Sequence, residues 1–184
     1  DEQSMSWGAP ERIYNASENN KSVSKPQVSP DNQYIAMTIS EYGAYHYTHI
    51  DSDVYLLNLT THECKPIEAS NSPQAEGYVT WSSNGRWLMV GSRREDGSYA
   101  RLYLSYFDTT GTAHKAFQLP HEDPLFDKNL LKNYNYPEFG TVDVNYTASD
   151  IYKILEDNTP VIPSYKGDME KTDGNTGASI IKYE

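Results

Sequence analysis

The densest group of side chains that could do chemistry lies in one short segment, "HYTHIDSD" at residues 46–53. His46 opens the segment, and in an extended conformation alternate residues share a face, so His49, Asp51 and Asp53 would converge. Imidazole and carboxylate groups at such spacing can bind a divalent cation, with His49 and Asp53 as the candidate metal ligands. The alternative, which we favour, is a polar loop whose His and Asp side chains hydrogen-bond neighbouring backbone.

A second set of residues could recognise a partner without transforming it. The loop "EYGAYHYTH" is expected to expose aromatic rings to such a partner. The pair Arg93-Arg94 could bind a carboxylate or an anionic sugar, although arginines solvated in a strand loop are the simpler interpretation. The candidate binding residues are therefore His46, His49, Asp51, Asp53, Tyr45, Tyr47, Arg93 and Arg94.

The sequence offers little support for catalysis by a nucleophile or a cofactor. It contains no G-x-S-x-G motif, and the glycine-bearing "DGNTG" lacks the lysine and the strand context of a phosphate loop. Glu122, Asp123 and Asp127 form an acidic patch, but they provide too few oxygen ligands for calcium. We therefore expect no bound cofactor.

Composition narrows the fold class and the partners. The chain has 184 residues, among them 16 Tyr, 10 Pro and 11 Gly, which favours short strands joined by turns. Its 15 basic and 26 acidic residues give a net charge of −11, and an acidic surface repels phosphate backbones. No apolar run reaches the roughly 18 residues that span a bilayer. We predict an all-β protein that binds no nucleic acid and has no transmembrane segment.

The elements that must position these residues come from a sequence repeat. "VSPDNQYIAM" (28–37) and "WSSNGRWLMV" (81–90) share a serine, a turn pair, an aromatic residue and an aliphatic strand at an offset of 53 residues. Asp31-Asn32 and Asn84-Gly85 are expected to form two-residue hairpin turns. Further along, "VYL" at 54–56 matches "LYL" at 102–104. Units of about 50 residues with about four strands each are typical of β-propeller blades.

These repeats resemble a known family. "SPDNQYIA" and "WSSNGRWLMVGS" resemble the repeat of TolB-like propellers, the bacterial envelope proteins with WD40-like repeats. "GAYHYTHIDSDVYLLNLTTHE" is similar to the blade signature of one branch of that family, and "DPLFDKNLLKNYNYPEF" to the segment after its last blade. Ser83 and Asn84 replace the usual proline and aspartate. The resemblance implies a propeller with six blades when complete, located in the periplasm or cell envelope.

The predicted organisation has four parts. Residues 1–24 hold the outgoing strand of a preceding blade, within "ERIYN", and a linker; residues 25–70 and 71–120 are two blades. Residues 121–184 form a tail with short helices that packs on the propeller, with a strand at 141–146 and a helix that Ser149 caps. Two blades leave apolar faces uncovered, so the partners are the remaining blades of a longer chain or copies of this one.

Two functions remain open at this point. The first is a non-catalytic binding or scaffold propeller of the cell envelope, whose blade loops meet a protein or glycan partner. The second is a metal-dependent lyase or hydrolase that acts on acidic polysaccharide through its His-containing loops. The resemblance covers about residues 25 to 155, and its repeats are scaffold. The resemblance therefore indicates the fold but does not distinguish the two functions, which depend on the residues of the site.

Overall fold

The computed structural model describes residues 8–43 and 45–156. Most of their regular secondary structure is β, which confirms the all-β prediction. The strands are β1 (Ser22–Val28), β2 (Tyr34–Ser40), β3 (Asp53–Asn58), β4 (Cys64–Pro66), β5 (Glu76–Trp81), β6 (Trp87–Ser92), β7 (Arg101–Tyr106) and β8 (Phe117–Gln118). The helical segments are two 3-10 turns, Ala16–Asn19 and His46–Thr48, and the helices α1 (Phe126–Asn129) and α2 (Ala148–Glu156).

The strands form two separate four-stranded antiparallel sheets. The first has the order β1-β2-β3-β4 and the second the order β5-β6-β7-β8, so each sheet is a meander of consecutive strands. The sheets span residues 22–66 and 76–118, within the two predicted blades except that β1 begins three residues earlier. Residues 11–15, expected as a strand of a preceding blade, form no strand in the structure.

The repeated turns are alike down to single hydrogen bonds. Ser29 Oγ donates to Asp31 Oδ1 at 2.6 Å and accepts from the Tyr34 amide at 2.9 Å. At the equivalent turn, Ser82 Oγ donates to Asn84 Oδ1 at 2.8 Å and accepts from the Trp87 amide at 2.9 Å. The connections are five residues long, so the predicted two-residue turns are wrong.

The serine hydroxyl explains the longer connection. It accepts the first amide of the following strand and thereby extends the turn by the residues it bridges. The left-handed conformation expected within each turn pair falls on its second residue, with φ of 56° at Asn32 and 64° at Gly85. The repeat therefore specifies a local turn structure through its own hydrogen bonds.

The core lies between the two sheets. The first sheet contributes Ala36, Val54 and Ile67, and the second contributes Val79, Trp81, Leu88, Val90 and Phe107. The first strand of the second sheet, β5, packs against β1, β2 and β3. On the opposite face of the first sheet, Met37, Ile39 and Leu57 pack against Ile13 and Tyr14. This opposite face is only partly covered, since Val23, which pairs with Ile39, is 41% exposed.

The segment after β8 is held to the second sheet by a buried arginine. The Arg101 guanidinium, in a residue only 4% exposed, donates to the carbonyl oxygens of Leu130 and Lys132, each at 2.7 Å. Asn133 Oδ1 accepts from the Ala100 amide at 2.6 Å. Residues 130–133 are thus tied to the start of β7.

Two predictions about the following residues are wrong. Residues 141–146 form no strand. The helix begins after Thr147 and not after Ser149, because Thr147 and Asp150 form a reciprocal capping box: Asp150 Oδ2 accepts from the Thr147 amide at 2.9 Å, and Thr147 Oγ1 accepts from the Asp150 amide at 3.3 Å. The described residues 142–156 belong to a second compact unit. The tail predicted for 157–184 lies outside the described residues.

Within residues 8–43 and 45–156, no helix combines the length and the hydropathy that crossing a bilayer requires.

Replacing Arg101 with lysine tests whether this residue holds the segment after β8 to the second sheet. One ammonium group cannot reproduce the fork that reaches two carbonyl oxygens, so Arg101→Lys is expected to lower the free energy of unfolding by about 2–4 kcal/mol. Urea denaturation followed by tryptophan fluorescence measures the change. The control is Arg12→Lys at an exposed position, expected to change stability by less than about 0.5 kcal/mol. If Arg101→Lys were as stable as Arg12→Lys, Arg101 would not be the residue that holds the segment after β8 to the second sheet.

Candidate functional site

His46 is a structural residue of the loop between β2 and β3. It is 2% exposed and lies 2.5 Å from Ser24 Oγ through Nδ1 and 2.6 Å from the Gly43 carbonyl oxygen through Nε2. Because a carbonyl can only accept, Nε2 carries the proton and Nδ1 is free to accept from the serine hydroxyl. Both ring nitrogens are therefore occupied, which fits the hydrogen-bonding interpretation and leaves no nitrogen for a metal.

His49 and Asp51 engage different parts of the same loop. The His49 ring lies over Tyr42 with 4.5 Å between ring centroids, and the buried Nδ1 of His49 has no hydrogen-bond partner among the described residues. Gly43, with φ +86°, passes beneath this ring, where an added Cβ would come within 2.6 Å of it. Asp51 Oδ2 accepts from the Glu41 amide at 2.5 Å and so fastens the loop to the end of β2.

Asp53 begins β3 in an unfavourable electrostatic position. Burial, followed by the nearby carboxylates of Glu76, Glu68 and Asp51, raises its pKa to about 6. Nowhere in the described part of the chain do three or more His, Cys, Asp or Glu side chains form a group that could hold a metal ion. His49 and Asp53 are therefore not joined there by the further ligands that a metal centre needs.

Arg94 stabilises the fold from within the protein. Its guanidinium lies 4.1 Å from the centre of the Tyr103 ring and 3.5 Å from Glu76 Oε1, and its Nε donates to Ser92 Oγ at 2.8 Å. Glu76 is fully buried and also accepts from the hydroxyl groups of Ser72 and Ser92, each at 2.6 Å. This network binds β5 to β6 and removes Arg94 from the set of residues available to a partner.

The side chain of Arg93 lies near different residues from those that hold Arg94. Its guanidinium lies 5.9 Å from the centre of the Tyr47 ring, and its buried Nε finds no hydrogen-bond partner in the described part of the chain. Tyr47 packs on Tyr78 with 4.7 Å between ring centres, and the neighbouring Tyr45 is 71% exposed. Of the two predicted arginines, Arg93 is therefore the one that joins the predicted tyrosines.

The sequence reasoning missed a pair of bulges in the first strand of each sheet. The register between β1 and β2 shifts between Ser24 and Gln27, and the register between β5 and β6 shifts between Gly77 and Thr80. Within the bulges, Lys25 has φ +53° and Tyr78 has φ +52°. Such angles are unusual for a lysine and a genuine outlier for a bulky aromatic residue.

The signal for these bulges was present in the repeat. Lys25 and Tyr78 are 53 residues apart, the same offset as the turns that follow them. Extending the alignment upstream pairs the two residues, but lysine and tyrosine share no property that predicts a left-handed backbone. Only the equivalence of their backbone angles identifies the bulge as part of the repeat.

The bulges bring their residues to one place, which we call the aromatic surface: Lys25, Tyr45, Tyr47, Tyr78, Arg93 and Tyr136. Lys25 Nζ lies 5.8 Å from the centre of the Tyr78 ring and 5.9 Å from that of Tyr136. The Tyr136 hydroxyl accepts a short hydrogen bond from Gln27 Nε2, which ties the segment after β8 to β1. Residues from both sheets and from the later segment thus meet at this surface.

The hydroxyl of Tyr78 keeps its proton at neutral pH. Burial and the neighbouring Tyr47 raise the pKa of Tyr78 to about 12. A protonated phenol can donate a hydrogen bond as well as accept one. The aromatic surface therefore holds a neutral phenol group beside the cationic groups of Lys25 and Arg93.

Two cavities open on either side of the Tyr47–Tyr78 pair. The first, which we call the notch, has a volume of about 90 Å³ and is lined by Ser24, Lys25, Thr38, Tyr45, His46, Tyr47, Gly77 and Tyr78. The second, which we call the side cleft, has a volume of about 290 Å³ and is lined by Tyr47, Tyr78, Arg93, Ala100, Asn133, Tyr134 and Asn135. Aromatic faces, hydroxyls, amides and two cations form these walls.

The acidic patch after the second sheet is not a calcium site. Asp127 is 7% exposed, and its carboxylate accepts from Gln118 Nε2 at 2.7 Å and from the Tyr134 hydroxyl at 3.2 Å. His121 Nε2 lies 3.2 Å from the same carboxylate. These contacts use its oxygens to hold the segment after β8, while Glu122 and Asp123 are exposed.

Comparison of the sequence with models of protein families and with curated proteins finds no match in either. The resemblance of the repeats to TolB-like propellers stays a prediction.

The raised pKa of Asp53 predicts a pH dependence of stability. Because the folded state holds this proton up to about pH 6 and the unfolded state releases it near pH 4, stability falls as the pH rises through that window and stays lower above it. Asp53→Asn should match the wild type near pH 4, be more stable than it at pH 7, and show a shallower decline between. Thermal melts between about pH 4 and pH 7 measure the stability of both proteins. The exposed Asp143→Asn serves as control and should retain the wild-type profile.

Proposed function

We propose that this chain contributes two blades to a non-catalytic β-propeller of the bacterial cell envelope that binds a protein or glycan partner at the aromatic surface. The observation that carries the proposal is the pair of bulges at Lys25 and Tyr78. Two left-handed residues at equivalent positions of the two sheets maintain backbone conformations that cost free energy. Both serve to direct side chains into the same surface.

The chemistry of the aromatic surface supports binding. Tyrosine rings offer large rigid contact areas at low entropic cost, and they are enriched where proteins meet partners. Lys25 and Arg93 lie against these rings and keep charged groups available for polar contacts. The predicted tyrosines and Arg93 belong to this surface, while His46, His49 and Asp51 support the loop from which Tyr45 and Tyr47 project.

The propeller proposal is supported by the way the two sheets pack. The side of the first sheet that meets the second carries Tyr34, Ala36, Val54 and Leu56. The repeat pairs these with Trp87, Met89, Leu102 and Leu104, which lie on the far face of the second sheet because alternate strand residues face opposite ways. The same kind of surface thus recurs one repeat later.

This recurrence makes the sheet-to-sheet contact head-to-tail. A head-to-tail contact leaves one complementary face free at each end and closes only when the units form a ring. On the far face of the second sheet, Tyr106 is 40% and Phe117 is 46% exposed. We infer that another sheet of the same kind covers this face, from a longer chain or from another copy of this one. The number of blades and the envelope location come from the resemblance of the repeats alone.

Self-association of the isolated chain tests the architecture. With no other blades present, copies are expected to associate through the far face of the second sheet, because burial of apolar area drives association. Sedimentation velocity over a wide range of concentrations measures the dissociation constant. Phe117→Lys should raise it by about tenfold, whereas Leu131→Lys, 75% exposed on the segment after β8, should leave it unchanged. A folded wild-type monomer at every concentration would refute the proposal.

Binding to defined arrays tests the aromatic surface. The full chain is applied to one array of oligosaccharides and one of short peptides, both of mixed charge. Arg93→Gln removes one of the two cations of this surface and should weaken every ligand that the wild type retains by about tenfold. Arg12→Gln, at an exposed position away from this surface, should bind like the wild type. The binding function fails if the wild type retains no ligand, or if Arg93→Gln retains all of them unchanged.

A further inference from the structure

We propose that the notch binds the carboxylate of an acidic sugar residue, whose ring lies against Tyr47 and Tyr78. This inference rests on the proposed binding function and specifies the ligand of the same surface. Three features of the notch carry it: an unpartnered hydroxyl in its wall, a cation at its mouth, and aromatic walls with almost no aliphatic side chains.

The unpartnered hydroxyl belongs to Thr38. This residue is 1% exposed, and its Oγ1 has no hydrogen-bond partner among the described residues. Ser24 Oγ, also in the wall, is already engaged with His46. A buried hydroxyl without a partner costs free energy, so a ligand oxygen that accepts from Thr38 would recover it.

The shape of the notch depends on Gly77. A Cβ at this position would lie 3.5 Å from Thr38 Oγ1 and 3.5 Å from Tyr47 Cβ, which are ordinary contact distances. An alanine side chain would therefore fit without displacing its neighbours, but it would occupy space beside the hydroxyl. The notch, at about 90 Å³, is several times larger than the roughly 10–15 Å³ that one water needs, so a carboxylate fits.

Lys25 supplies the opposite charge. The exposed side chain carries its ammonium between the Tyr78 and Tyr136 rings and forms no ion pair within the described residues. In a chain with a net charge of −11, neither the notch nor the side cleft has an Asp or Glu among its described lining residues. A local cation without acidic neighbours favours a ligand with a localised negative charge.

The walls favour a sugar over a peptide. Across the notch and the side cleft, Ala100 is the one aliphatic residue among the described lining side chains, so neither cavity offers an aliphatic wall to a Leu, Ile or Val side chain. The Tyr47 and Tyr78 rings offer flat faces for the C–H groups of a pyranose, and Asn133 and Asn135 offer amides for its hydroxyls.

The experiment compares two trisaccharides that differ in one group per ring. Cellotriose carries a hydroxymethyl group where its C6-oxidised counterpart, β-1,4-linked triglucuronate, carries a carboxylate. Titration of the ¹⁵N-labelled full chain with each is followed by amide chemical shifts at Thr38, Gly77 and Tyr78. We expect triglucuronate to bind at least about tenfold more tightly than cellotriose, a ratio that one charge-assisted hydrogen bond supplies.

Three variants locate the binding. Lys25→Met keeps an unbranched side chain, one atom shorter and without the charge, and should abolish the preference for triglucuronate. Gly77→Ala should weaken triglucuronate by about tenfold while the amide spectrum remains that of a folded protein. Lys65→Met, at an exposed lysine of β4, should bind like the wild type.

The remaining outcomes overturn the inference without ambiguity. Equal binding of the two trisaccharides, or triglucuronate binding that Lys25→Met and Gly77→Ala leave unchanged, would overturn it while the binding function stands.

A third ligand, the peptide acetyl-Gly-Glu-Gly-amide, provides the alternative carboxylate. If this peptide binds in a Lys25-dependent manner and triglucuronate does not bind, the ligand is a protein and the sugar assignment is wrong. Failure of the broader binding function would instead appear as the absence of any retained ligand on the two arrays.

Discussion

The packing of one meander on the next is the constraint on which the rest of the structure depends. A four-stranded sheet has two faces, and neither sheet can bury both of its own apolar faces. Ala36 and Val54 of the first sheet meet Val79, Leu88 and Val90 of the second, and this contact forms the core. Fully burying such side chains contributes about 1.5–3 kcal/mol each, whereas an exposed ion pair typically contributes about 0–1 kcal/mol.

Polar groups at the same boundary determine how the sheets are aligned. Trp81 Nε1 donates to the Gln27 carbonyl oxygen at 3.1 Å, and Ser52 Oγ donates to the Glu76 carbonyl oxygen at 2.8 Å. The side chain of Glu76 is itself satisfied by Ser72, Ser92 and Arg94. Because buried polar groups lose free energy unless they are paired, these bonds favour one alignment of the sheets. That alignment places β5 beside β1, and the two bulges with it.

Sequence reasoning recovered the local part of this structure well. The offset of 53 residues identified two equivalent turns, the strands that follow them and the all-β class, because a serine, an Asx residue and an aliphatic run act within a few residues of one another. It failed where a local pattern had two solutions. Thr147 caps α2 instead of Ser149, since the reciprocal bonds with Asp150 need a spacing of three residues.

At the site, the sequence identified some of the residues that lie at the aromatic surface, but it did not show which candidate residues are held within the fold instead. Tyr47 and Arg93, two of the predicted binding residues, lie near each other in the structure, but Arg94, the next residue, is held by Glu76 and Tyr103. His46 was a candidate binding residue, and both of its ring nitrogens are used by Ser24 and Gly43. Alternation along an extended strand could not foresee this, because residues 46–48 form a 3-10 turn.

The sequence by itself determined the repeated unit: two stretches with the same turn residues and strand pattern must fold into similar local structures, since short-range hydrogen bonds and alternating polarity suffice to specify them. The tertiary structure alone decided which side chains meet. The residue types of Lys25 and Tyr78 do not distinguish them from other strand residues, and they become neighbours only because the core between the sheets brings β1 and β5 together. Contacts between residues 53 positions apart depend on the packing of whole sheets, which no local pattern encodes.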